Sequence, residues 1–93
     1  MPESDRHRDL RHLFGAAARS HHAVYGGPND GWPRWYAEWM YAQLLPIIGA
    51  DPSVDQVEAW LIEADRRYTE EQPDGSWPGS YADWFLEWGT EGA

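Results

Sequence analysis

The chain has 93 residues and a net charge of −9, with no cysteine. That length supports one domain around one core. The missing thiols exclude a disulfide framework and thiolate chemistry, and no apolar run reaches the roughly 18 residues needed to cross a bilayer.

The charge is concentrated in one half. Residues 1–50 carry five acids and five arginines, whereas residues 51–93 carry eleven acids against Arg66 and Arg67. So negative a field repels phosphate backbones and attracts cations, so nucleic acid is not an expected partner. Keeping an aromatic-rich surface in solution is the simplest use of those acids. Every basic residue is arginine, a bias that fits a GC-rich bacterial genome. The first eight residues, Met1 to Arg8, are charged and hold no apolar stretch, so no signal peptide is expected and the expected compartment is the cytoplasm. Seven Trp, five Tyr and two Phe supply much of the apolar content. Each buried aromatic removes about 150–250 Å² from water, so a few of them can hold together so short a chain.

Apolar residues recur with helical periodicity throughout, and sustained strand alternation does not occur. A first helix is expected from about Asp5 to Val24, capped by Ser4, with Leu10, Leu13, Phe14, Ala17, Ala18, His21 and Val24 on its apolar face. Gly26-Gly27-Pro28-Asn29-Asp30-Gly31 ends it. A second helix starts near Trp32-Pro33, because proline is tolerated in a first turn. Its expected face is Trp32, Tyr36, Trp39, Met40, Gln43, Leu44 and Ile47. Pro46 is expected to kink or end it, and Gly49 is a natural stop. A third helix begins either at Asp51-Pro52 or at the capping box Ser53-Val54-Asp55-Gln56, with Val54, Val57, Trp60, Leu61, Ala64 and Tyr68 facing inward. A fourth begins near Ser76-Trp77-Pro78, carries Tyr81, Trp84, Phe85 and Trp88 on one face, and gives way to a tail over 89–93.

The most specific signal is an internal duplication. Asp30-Gly31-Trp32-Pro33-Arg34-Trp35-Tyr36-Ala37-Glu38-Trp39-Met40 and Asp74-Gly75-Ser76-Trp77-Pro78-Gly79-Ser80-Tyr81-Ala82-Asp83-Trp84-Phe85 both read D-G-(S)-W-P-x-x-Y-A-acid-W-apolar. Tyr25 and Tyr68 stand a similar distance upstream. The expected fold is therefore all-α: four helices as two duplicated helix–loop–helix units, about 5–48 and 53–88, packed about a pseudo-two-fold axis into one domain so that each covers the aromatic face of the other. The phrase Trp-Pro-x-Trp-Tyr-Ala-Glu-Trp resembles segments of small bacterial helical proteins with a W-P-x-W/Y-Y-A-x-aromatic signature. The resemblance covers the two hairpin junctions, implies helical structure there, and brings no activity or catalytic residue with it.

Signs of catalysis are thin. His21 and His22 are adjacent, hence about 100° apart around a helix, and cannot chelate one ion from one face. His7 and His12 are also poorly spaced, and no H-E-x-x-H, C-x-x-C, phosphate loop or nucleotide fingerprint occurs. His21 reads first as a partly buried, hydrogen-bonded core residue. Glu38 and Asp83 occupy equivalent positions and could pair as carboxylates, although both fall off the apolar faces and read as solvated. No metal and no cofactor are expected.

The tryptophans offer most. Seven indole N–H groups need partners, and so small an interior leaves some aromatic surface open. The leading expectation is a non-catalytic binding module whose cleft between the hairpins takes an aromatic or cationic small molecule, for instance to sequester a toxic natural product. Its candidate residues are Trp32, Trp35, Tyr36, Trp39, Trp77, Tyr81, Trp84 and His21. One alternative is a protein-interaction or homodimerisation module using the stray aromatics Trp35, Tyr41 and Trp88. Another is a small cofactor-free enzyme working through His21 or His22 with Tyr25, Glu38 or Asp83.

Overall fold

In the computed structural model, which describes residues 4–27, 29–73 and 75–91, four helices run in order: α1 (Asp5–Tyr25), α2 (Trp32–Ile48), α3 (Val54–Glu71) and α4 (Trp77–Glu91). No strand occurs among the described residues. Pro28 of the first connection, Asp74 of the repeated motif and the last two residues of the expected tail lie outside them.

Local chemistry sets the boundaries. The Ser4 hydroxyl accepts from the His7 N–H at 3.1 Å, and the Ser53 hydroxyl accepts from the Gln56 N–H at 3.1 Å. The second bond settles the start of α3 in favour of Ser53 over Asp51, because it satisfies an N–H that has no partner within the helix. α2 begins without a side-chain cap, on Trp32 and Pro33. Its approach is held by the Asn29 side chain, which accepts from the Gly31 N–H at 2.7 Å. Gly26 (φ 73°) and Gly49 (φ 67°) close α1 and α2 in the left-handed conformation that side chains other than glycine's resist. Gln72 takes the same role after α3 at φ 45°.

Two expected stops fail. Pro46 does not end α2, which continues to Ile48. One N–H is missing so close to the terminus, and Ala42, whose carbonyl loses its partner, is exposed where water can replace the bond. Nor does Gly89 begin a tail: it is buried inside α4, a position where an added Cβ would lie 3.6 Å from the Ile48 Cβ. α4 therefore continues across the end of α2.

α1 packs against α2 and α4, α2 packs against α3, and α4 also meets α2 and α3, whereas α1 and α3 make no close approach among the described residues. The core joins Leu10, Leu13 and Phe14 of α1 with Ala37, Met40, Leu44 and Ile48 of α2, Val57, Leu61 and Ala64 of α3, and Tyr81, Ala82, Trp84 and Phe85 of α4. Phe14 is fully buried and meets the edges of Phe85, Tyr81 and Trp77 at 5.0, 5.7 and 5.9 Å. Such edge-to-face pairs add about 0.5–1.5 kcal/mol each beyond the area they bury.

The buried ridge of α2 is offset from the expected one. Ala37, Met40, Leu44 and Ile48 form its centre, Trp32, Tyr36, Trp39 and Ile47 flank it, and Gln43 is exposed. A small side chain at the crossing lets two helices approach closely, which pushes large rings to the sides. Val24, expected on the inner face of α1, is instead 64% exposed. Polar contacts tie the surface together. Arg34 reaches from Glu38 (2.8 Å) to Asp55 at the start of α3 (2.6 Å), and the Tyr41 hydroxyl donates to the Pro52 carbonyl at 2.6 Å. No described helix is long and apolar enough to cross a membrane.

Candidate functional site

Trp32 and Tyr36 stand one turn apart at the start of α2, and Trp77 and Tyr81 stand one turn apart at the start of α4. An i, i+4 spacing puts each pair on one face. All four line a single cavity of about 440 Å³. The last turns of α1 and α3 complete it, supplying Ala18, His21 and His22 from one and Asp65 and Tyr68 from the other, with Gly27 and Asn29 from the first connection. The space opens where α1 and α3 stay apart. A volume of 300–1,000 Å³ is the usual range for small-molecule sites.

The rings brace one another. Trp32 meets Tyr36 at 5.7 Å, Trp77 meets Tyr81 at 4.9 Å, and Tyr36 meets Trp77 at 6.3 Å, linking the two helix starts. Phe14 supports Trp77 and Tyr81, and Tyr68, whose hydroxyl donates to the Gly75 carbonyl at 3.0 Å, meets Tyr81 at 6.3 Å. The aromatic wall is thus fixed by the core and presented already formed.

His21 is 7% exposed, and its ring lies 4.8, 5.1 and 5.2 Å from those of Tyr25, Trp35 and Tyr36. The expected burial is found, but the expected hydrogen bond is not: Nε2 is buried with no partner. An unsatisfied buried polar atom costs about 1–3 kcal/mol, so its presence in a cavity wall calls for an explanation.

The other candidates stand away from the cavity. Trp35 stacks on Trp39 at 6.2 Å and braces His21 from behind; Trp84 is buried in the core with the Arg67 guanidinium 4.7 Å over its ring. Glu38 pairs with Arg34, and Asp83 pairs with the half-buried His7 at 2.8 Å, so each carboxylate is taken up by a different partner. Of the stray aromatics, Tyr41 is held by Pro52 and Trp88 packs on Phe85 and Trp60, at 5.8 and 6.1 Å. Among the described residues the large apolar side chains that are exposed are Val24, Tyr25 and Ile62. Among the described residues no three His, Asp or Glu side chains gather in a way that could hold a metal ion.

The chain matches no family model, no curated protein and no solved structure. Its function has to be read from the cavity itself.

Asp65 and Tyr68 were not among the sequence candidates. A signal was present: Asp65 precedes Tyr68 by three residues, so the two share a helix face. The apolar pattern of α3 drew attention to Tyr68 and concealed its acidic neighbour. Asp65 and Tyr81 line the same cavity wall from α3 and α4. Burial, and then the negative charge of Asp65, hold the Tyr81 phenol well above the ordinary tyrosine value of 10.0, and burial alone raises Tyr36. Tyrosines in the unfolded chain release protons near pH 10 while folded Tyr81 retains its own, so the unfolded state binds fewer protons there. Stability is therefore unaffected by Tyr81 below about pH 10 and falls above it. Urea unfolding from neutral to strongly alkaline pH should show that decline, and Tyr81→Phe should make it shallower. An equal slope in the variant would assign the alkaline loss to other groups.

Proposed function

We propose that the chain is a non-catalytic binding module whose aromatic cavity receives a flat aromatic or cationic small molecule. We further propose that α1–α2 and α3–α4 are duplicated units related by a local two-fold axis, with the cavity at their junction. One observation carries both: Trp32 and Tyr36 of one motif copy and Trp77 and Tyr81 of the other, separated in sequence, line the same 440 Å³ space. Ala37 and Ala82, which follow the two tyrosines, are both fully buried, as matching positions in a duplicated packing should be. The preformed wall limits the ordering cost of binding, and sequestering a flat, reactive or toxic molecule is a role such a wall suits.

Tryptophan fluorescence titrated with a planar aromatic cation tests the proposal. Quenching should saturate, and Trp32→Ala and Trp77→Ala should each weaken binding by about three- to tenfold, the loss of one aromatic contact. Trp39→Ala, outside the cavity, should leave the affinity nearly unchanged. Quenching that rises linearly without saturating, or that responds alike to all three variants, would overturn it.

A further inference from the structure

Resting on that binding role, we infer that the occupant is a planar monocation and that Asp65 is the group that selects its charge. The cavity is lined by aromatic faces, histidines and small or amide side chains, and among its described lining residues Asp65 is the one carboxylate, with no Arg present. The faces of Trp and Tyr rings carry partial negative charge, so wall and carboxylate favour the same sign.

Asp65 also differs from the acids around it. On α3, Arg66 is taken by Glu63 and by Glu70 (2.6 Å), and Arg67 pairs with Glu71 at 2.7 Å and lies over Trp84. Asp65 pairs with no cation among the described residues. It lines the cavity together with the Tyr68 and Tyr81 rings, at the aromatic wall, with its charge not neutralised. A charge left unpaired beside rings that are themselves favourable to cations is the arrangement a cationic ligand completes. His21, 7% exposed, lines the same cavity from α1, across from Asp65 on α3. The occupant therefore presents its positive charge toward Asp65 and its flat face toward the aromatic wall.

Two probes of the same shape separate charge from stacking: N-methylacridinium, a permanent cation, and acridine, neutral in mildly alkaline buffer. Both are titrated against the full chain by tryptophan quenching. The cation should bind about tenfold more tightly, the sum of one partly exposed ion pair and its cation–π contacts. Asp65→Asn keeps the size and polarity of the side chain and removes its charge, so it should remove most of that preference while leaving acridine within about twofold of its original affinity. Glu87→Gln removes the same charge from an exposed position on α4 outside the cavity and should preserve the preference. Equal affinities for the two probes, or a preference that survives Asp65→Asn, would overturn the assignment of Asp65 while leaving the binding module standing. Failure of both probes to saturate would overturn both.

Discussion

Phe14→Ala should lower stability by about 3–5 kcal/mol, the range for removing a large ring from a closed core. Phe14 is fully buried, and three aromatic rings of α4 approach it edge-on, so the cavity left behind cannot collapse without moving α1 against α4. For a domain of this size each kcal/mol shifts the Tm by about 4–8 °C, which puts the expected fall at roughly 12–40 °C. Urea unfolding monitored by circular dichroism gives the free energy directly, and Phe14→Leu, expected near 1–1.5 kcal/mol, covers the case in which the alanine variant does not fold. By contrast, Arg34→Ala removes an exposed bridge between α2 and α3 and should cost under about 1 kcal/mol. A Phe14→Ala loss no larger than that of Arg34→Ala would mean that the α1–α4 seam is not the centre of the core.

Enlarging the two alanines that follow the cavity tyrosines should also be costly. Ala37→Leu and Ala82→Leu each insert a branched side chain where the native residue is fully buried, at an expected cost of about 1–3 kcal/mol from strained rotamers and displaced backbone. Ala42→Leu, on the exposed side of α2, should be nearly neutral. Similar losses at positions 37 and 82 are what a duplicated packing requires. If one site tolerates leucine and the other does not, the two motif copies occupy unlike environments, and the proposed local axis fails with them.

The helices were legible because punctuation and periodicity agreed: Ser4 and Ser53 at starts, Gly26 and Gly49 at ends, apolar residues every three to four positions between them. What sequence reasoning missed follows from treating size as a measure of burial. Trp32, Tyr36 and Trp39 dominate any apolar count for α2, yet Ala37 is fully buried while those rings flank the core. Val24 continues the period of α1 perfectly well and is exposed all the same, because periodicity says nothing about what lies opposite each side chain. Gly89 reads as a terminator from composition alone; its burial against Ile48 depends on the α2–α4 contact, which no local pattern encodes.

The candidate site was legible in part for the same reason. Trp32, Tyr36, Trp77 and Tyr81 could be grouped because the duplication makes them equivalent, and His21 because it lies on an apolar face. Trp35, Trp39 and Trp84 share the rarity that drew attention to them but serve as bracing and core. Asp65 carried no such mark. In a half-chain with eleven acids, one more carboxylate is unremarkable until its neighbours' arginines are seen to be occupied elsewhere.

The ring partners of Phe14 all belong to α4. Because α1 also lies against α2, a chain cut before Trp77 should cover part of that inner face but leave the Phe14 ring open to water. Such a truncated chain should consequently stay protease-sensitive, whereas the chain through Glu91 resists cleavage.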